Sequence, residues 1–136
     1  DEKKLHLSFK KSARLPQAAM DAGLIEQALG ILLTNAMNYT PAGGSVTVST
    51  FSRSVKGKRR VGFTVADTGP GISSKEQAEL FQRFHRGKAA RMFGVTGTGL
   101  GLALAKEIAD QHGGKIEVAS SGVAGEGTRF SLWLPV

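Results

Sequence analysis

Near the start of the chain Leu5, Leu7 and Phe9 alternate with His6, Ser8 and Lys10, a period of two that predicts a strand ending before Pro16. The period then changes. Ile25, Leu29, Leu32 and Ala36 recur at helical spacing behind Asp21, whose carboxylate suits an N-cap, and predict a helix to about Tyr39. Pro41, Gly43 and Gly44 end it. Val46, Val48 and Thr50 alternate with polar residues, and Val61, Phe63 and Val65 do so again, as the two strands of an antiparallel hairpin would. After Asp67-Thr68-Gly69-Pro70-Gly71-Ile72, Ser73 and Glu76 form a capping-box pattern for a short helix through Phe81. From His85 to Thr98 no apolar period is sustained, and we read a long loop. Leu100, Leu104 and Ile108 mark one face of a helix over Gly99 to His112, stopped by Gly113 and Gly114. Ile116 and Val118, then Phe130, Leu132 and Leu134, make a closing hairpin around Gly122 to Gly127.

This order predicts an α+β fold, with helices on one face of a mixed, mostly antiparallel sheet of about five strands. No repeat and no linker divides the chain, so its 136 residues are expected to form a single domain over 1–136. A hydrophobic content of 40% argues against disorder, and the absence of cysteine excludes disulfide scaffolds, thiolate zinc sites and cysteine nucleophiles. No apolar stretch approaches the ~20 residues of a membrane span, so no direct membrane insertion is expected. The chain begins at Asp1 rather than Met, as a fragment excised from a longer protein would.

The net charge of +7 brings nucleic acid into consideration. Arg53, Lys56, Lys58, Arg59 and Arg60, however, fall between two strand-like runs and read as a solvated hairpin loop. Neither this cluster, nor the amino-terminal group Lys3, Lys4, Lys10, Lys11 and Arg14, nor the one at Arg83, Arg86, Lys88 and Arg91 is interleaved with the aromatic platform that single-strand binders use, and no helix-turn-helix or zinc-finger spacing occurs. Nucleic acid is therefore not the expected partner.

The glycines carry more information. Clustered glycines let backbone N–H groups approach a phosphate or a flat base. Two familiar phosphate motifs fail: Gly94 and Gly99 have Walker spacing but Leu100 stands in the lysine position, and Gly97-Thr98-Gly99 lacks both a preceding strand and a glycine at Leu102. What remains is a glycine-rich turn opening a helix, whose first N–H groups can hold an anion.

Five segments in this order resemble a known family. Asn35-Ala36 with Tyr39-Thr40-Pro41 is similar to its N box, and Asp67 to Ile72 to its G1 box. Phe81-Gln82-Arg83-Phe84-His85-Arg86 resembles the F box, Gly97-Thr98-Gly99-Leu100-Gly101-Leu102 the G2 box, and Gly125-Glu126-Gly127-Thr128 the last one. These mark the catalytic and ATP-binding domain of bacterial sensor histidine kinases, within the GHKL superfamily of gyrase, heat-shock chaperone and mismatch-repair ATPases. The resemblance covers Leu5 to Pro135 and implies the two-layer Bergerat-type sandwich with three helices on one face of the sheet.

It also implies roles. The Asp67 carboxylate would accept a hydrogen bond from the adenine amino group, which suits an acceptor-only side chain. Gly69 and Gly71 would let the backbone approach the base, with Ile72 and Tyr39 as walls, and Thr128 would complete the pocket. Asn35 would coordinate Mg²⁺ on the triphosphate, a hard-oxygen contact. Asn38, Gly97, Thr98, Gly99, Leu100 and Gly101 would lie along the phosphates, and residues 86–96 would form a lid. Arg83, Arg86 and Lys88 would neutralise the transferring γ-phosphoryl group.

The implied activity is transfer of that group from Mg-ATP to a histidine on a dimerisation domain of the same protein, with a response regulator downstream; the alternatives are an anti-sigma-type serine kinase of the same superfamily and a degenerate nucleotide-binding pseudokinase module. The fragment would be monomeric and cytoplasmic, the intact kinase a homodimer. Two positions depart from the family. Ile31, one turn before Asn35, cannot activate water as the glutamate of the hydrolysing members does. Asn38 stands where kinases often carry Lys or Arg. None of His6, His85 or His112 has the setting of a phosphoacceptor, and a charged His112 would suit a helix C-terminus.

Overall fold

The computed structural model of the protein describes residues 5–10, 20–79, 101–123 and 125–136. Five strands, β1 (His6–Lys10), β2 (Ser45–Val55), β3 (Lys58–Asp67), β4 (Lys115–Ala119) and β5 (Thr128–Pro135), form one sheet in the order β1-β2-β3-β5-β4. β1 runs parallel to β2, and every other neighbouring pair is antiparallel. Three helices are seen among the described residues: α1 (Ala22–Tyr39), α2 (Ser74–Glu79) and α3 (Gly101–Gln111). The architecture is the α+β sheet-and-helix sandwich that the sequence predicts.

α1 begins where the sequence places it. The Asp21 carboxylate accepts a hydrogen bond from the Leu24 N–H at 3.1 Å, and at the other end the buried Thr40 hydroxyl donates to the Ala36 carbonyl at 2.7 Å. Gly113, at φ +71°, ends α3, and the Gly114 N–H reaches back to the Ala109 carbonyl at 2.9 Å, closing the last turn as a left-handed cap does. His112 ties the two helices together. One ring nitrogen, Nδ1, is 2.8 Å from the Ile108 carbonyl, while Nε2 accepts from the Asp21 N–H at 3.0 Å. With Nε2 accepting, Nδ1 is the donor to Ile108, and the role of the ring is this structural bridge at the helix end.

The core lies between α1, α3 and one face of the sheet. Val46, Val48, Phe63, Val65, Ile116, Phe130, Leu132 and Leu134 come from the strands, and Ala28, Leu32, Ala36, Ala105, Ile108 and Ala109 from the helices. Alanine at four of these helical positions removes the side-chain bulk that would hold the helices away from the sheet. On α3 the buried stripe is Ala105, Ile108 and Ala109, and Leu104, expected to face inward, is 37% exposed. Leu7 and Phe9 share a face with Val46 and Val48 through the β1–β2 register, yet both remain exposed on the edge strand.

The first hairpin differs from expectation. β2 and β3 stay paired out to Val55 and Lys58, so Arg53, Lys58, Arg59 and Arg60 lie on strands, not in a loop. Only Lys56 and Gly57 turn, at φ +53° and +77°, the two left-handed residues of a type I′ hairpin that matches strand twist. The F box, the lid and residues 97–100 of the G2 box lie outside the described residues, as does the expected extension of α2 to Phe81.

Phe130, 1% exposed, sits at the centre of the core. Phe130→Ala is expected to lower stability by about 3–5 kcal/mol, measured as a shift of the urea unfolding midpoint at unchanged slope.

Candidate functional site

β3 ends at Asp67, and its register partner on β5 is Thr128, the first residue of that strand. Strand alternation turns both side chains to the helix side of the sheet, where both are buried. Asp67 Oδ1 accepts hydrogen bonds from the Gly69 N–H at 2.9 Å and the Thr128 N–H at 3.3 Å. Oδ2 has no hydrogen-bond partner among the described residues, and neither has the Thr128 hydroxyl. Burial holds the Asp67 carboxyl above its ordinary value of 3.8, and the two N–H donors offset part of that rise. One carboxylate oxygen is thus fixed by backbone, and the other is left without a donor among the described residues. Buried polar groups are normally paired, so an acceptor and a hydroxyl on register partners, both without a partner among the described residues, make this strand end the candidate ligand position.

The loop after Asp67 is held on three sides. Thr68 exchanges hydrogen bonds with Ser45, its hydroxyl accepting from the Ser45 N–H at 2.9 Å and its own N–H reaching the Ser45 carbonyl at 3.1 Å. At Gly69 a Cβ would stand 3.0 Å from the Tyr39 carbonyl oxygen, so the loop abuts the end of α1, where Tyr39 is half-buried. Gly71, at φ +83°, lies against the backbone of Gly122. The Gly69 carbonyl accepts from the Gly125 N–H at 3.0 Å. A Cβ on Gly127, itself at φ +75°, would fall on the Asp67 carbonyl oxygen. The Gly125 to Thr128 segment is therefore the clamp over the Asp67 loop, and glycine is required there by contact as well as by φ.

Two residues in this clamp have no place among the motifs. The Ser120 hydroxyl accepts from the Ile72 N–H at 2.9 Å and the Gly122 N–H at 3.2 Å, and donates to the Gly127 carbonyl at 2.9 Å. Gln77 on α2 donates to the carbonyls of both Ile72, at 2.8 Å, and Ser120, at 3.0 Å. Together they lock Ile72, which also packs on the core, to the β4–β5 connection. A serine directly after the alternating strand Lys115–Ala119 is the only trace of this in the sequence, and serine is common in loops.

Asn35 is half-buried on α1, and its side chain makes no hydrogen bond among the described residues. Ile31, Asn35 and Asn38 follow one another at i, i+4 and i+7 on one helical face, with Asn38 exposed. The start of α3 meets this face, since a Cβ on Gly101 would lie 3.4 Å from Ile31 Cγ2. The structure thus brings the end of the G2 box beside the N box. It places Asp67, Gly69, Gly71, Ile72, Tyr39 and Thr128 around the strand end. Arg83, Arg86, Lys88, Gly97, Thr98, Gly99 and Leu100 lie outside the described residues. No cluster of three or more His, Asp or Glu able to hold a metal occurs among the described residues.

Because the Asp67 carboxyl is raised, its neutral form favours the fold. That contribution is complete below pH 3.8 and is lost as pH rises through the raised value. Asp67→Asn keeps an acceptor for Gly69 and Thr128 without the charge. Its melting temperature is expected to overtake that of the wild type as pH climbs through this window, as thermal unfolding between pH 3 and pH 8 would show. Ser120→Ala strands two N–H donors and a carbonyl. A loss of about 2–4 kcal/mol is expected, together with weaker nucleotide binding in a calorimetric titration.

The sequence profile of the histidine kinase-, DNA gyrase B- and HSP90-like ATPases matches residues 20–136. The circadian input-output histidine kinase CikA of Synechococcus elongatus is 38% identical over 134 residues, covering 98% of this chain and 17% of that protein. Among solved structures, the mycobacterial sensor histidine kinase MprB superposes with a TM-score of 0.82 at 29% identity, over 97% of this chain and 84% of the other. Full-length ShkA in complex with AMPPNP does so at 0.78 and 31% identity, over 98% of this chain and 26% of the other. The chain spans from 17% to 34% of the length of the curated relatives it matches. The match takes in α1, both hairpins and the Asp67 clamp, and this chain belongs to the family of histidine kinase-, DNA gyrase B- and HSP90-like ATPases.

Proposed function

We propose that this chain binds Mg-ATP and donates the γ-phosphoryl group to a histidine on a separate dimerisation domain of the same protein. The observation that carries the reading is Asp67, with Oδ1 held by two backbone donors and Oδ2 open beside the Thr128 hydroxyl. An ionised carboxylate accepts and cannot donate, so Oδ2 suits the exocyclic amine of adenine and rejects the carbonyl of guanine. Gly69 and Gly71 keep the loop thin enough for the base to approach, and Ile72 and Tyr39 flank it. That the relative ShkA was solved with AMPPNP, an ATP analogue, supports this choice of ligand.

Asn35 fits a magnesium ion in one respect: its amide oxygen is a hard donor with no competing bond among the described residues. With no acidic cluster among the described residues, the ion would take its remaining ligands from phosphate oxygens and water, as magnesium commonly does. When bound, it would neutralise charge on the triphosphate. Gly97 to Gly101, with the Thr98 hydroxyl, Leu100 and Asn38, are assigned to the phosphates. Arg83, Arg86 and Lys88 are assigned to the γ-phosphoryl group by their place in the sequence.

The acceptor step follows from what the chain lacks at one position. Ile31 occupies the turn before Asn35 and lies against the start of α3, so no side chain there can take a proton from water. A histidine nitrogen, nucleophilic without a base, would attack the γ-phosphorus while the bond to the ADP oxygen breaks. The histidine domain, a downstream response regulator, a homodimeric intact kinase and a cytoplasmic location for this domain complete the proposal. No helix among the described residues is long and apolar enough to cross a membrane.

The chain alone is expected to bind ATP with little turnover, and to phosphorylate a supplied dimerisation domain in a radiolabel transfer assay. Asp67→Asn should weaken ATP binding by about 100-fold, because an amide donor would face the adenine amine. Asn35→Ala should weaken Mg-ATP binding while leaving magnesium-free ATP binding unchanged. Equal losses with and without magnesium would remove Asn35 from the metal site.

A further inference from the structure

The hairpin cations take no part in the nucleotide site. Register pairs Phe51 with Gly62 and Gly62 with Trp133, so the two rings lie in one row on the sheet face opposite the helices, with a bare glycine between them. Arg53 and Arg60 are direct cross-strand partners on that same face. The Arg60 guanidinium carbon lies 3.8 Å from the centre of the Trp133 ring, and that of Arg53 lies 5.2 Å from the centre of Phe51. The Trp133 indole N–H donates to Glu117 at 2.8 Å, fixing the ring on which Arg60 rests.

Like charges directly opposite each other on a sheet are destabilising unless something neutralises them. Nothing does so here. The ion pair between Lys106 and Asp110 lies on α3, and none of the hairpin cations has an acidic partner among the described residues. Each guanidinium thus sits within cation–π range of a ring, and its fork of N–H donors can receive a carboxylate through two bonds.

We propose that this open face at the hairpin end is a docking surface for an acidic polypeptide segment, whose Asp or Glu carboxylates are received by Arg53 and Arg60. A single-stranded nucleic acid would need open ring faces for its bases, and both rings carry a guanidinium. An anionic bilayer would need an apolar wedge beside the charge, whereas the same face continues into the hydroxyl pair Thr64–Ser131. The surface lies across the sheet from Asp67 and seven residues away along β3, roughly 23 Å at ~3.3 Å per residue. Peptide and nucleotide can therefore be held together.

The test is binding of a fluorescein-labelled poly-glutamate peptide to the full chain, followed by anisotropy, with oligo-dT and phosphatidylserine vesicles as competing probes. Saturable peptide binding is expected, falling about tenfold in Arg53→Lys and Arg60→Lys, with ATP affinity unchanged in both variants. Asp67→Asn should leave peptide binding intact, so this proposal and the nucleotide reading can fail separately. No binding by the wild type overturns the proposal. So does wild-type affinity in the lysine variants, which would mean charge attraction alone, or tighter binding of oligo-dT or vesicles than of the peptide.

Discussion

Asp67 Oδ1 is the point at which the loops of this domain are tied to its sheet. The two backbone N–H groups it engages come from opposite sides, Gly69 from its own loop and Thr128 from the neighbouring strand. Each bond fixes a direction of the chain. The first bends the loop back toward the end of α1, and the second sets where β5 begins. Because the carboxyl is buried, these bonds recover only part of the cost of removing it from water, and the residual cost appears as its raised pKa. A buried carboxyl that costs the fold stability, with one oxygen unpartnered among the described residues, is the kind of group found at functional sites.

Around that point the fold works as a clamp. α1 presents Tyr39, β2 presents Ser45, and the β4–β5 connection presents Ser120, Gly122, Gly125 and Gly127, all against the segment from Asp67 to Ile72. Most of these contacts run through backbone atoms, which explains why glycine recurs at the site and why a single Cβ at position 127 would collide with Asp67. The rigidity has a chemical use. A base is discriminated by one hydrogen bond only if the acceptor cannot move to suit another partner.

The other face of the sheet follows different physics. It is solvated, and its order comes from cross-strand pairs: hydroxyl to hydroxyl at Thr64 and Ser131, guanidinium to indole at Arg60 and Trp133. The helix side is closed by small residues and aliphatic packing. One sheet thus separates a packed side, which carries Asp67 and Thr128 at its strand ends, from a charged outer side that carries Arg53 and Arg60.

Much of this was legible in the residues alone. The helix at Asp21, both hairpins, the glycine stop after α3 and the Asp67 loop follow from period, capping and turn chemistry, which act between neighbours in sequence. The length of the first hairpin was not, because Lys56-Gly57 is an inconspicuous turn pair and the charged residues flanking it look like a loop. Nor were the latch of Ser120 and Gln77, the exposure of Leu104, the tautomer of His112 or the stacking of Arg60 on Trp133. Each of these depends on which strands and helices become neighbours. Local pattern in the residues specifies the elements, and five short motifs carry the family resemblance. Only the tertiary structure decided that β5 lies between β3 and β4, and that placement sets Thr128 beside Asp67 and Trp133 beside Arg60. Strand order is chosen by the burial of the whole sheet against its helices, a sum over distant residues that no local pattern contains.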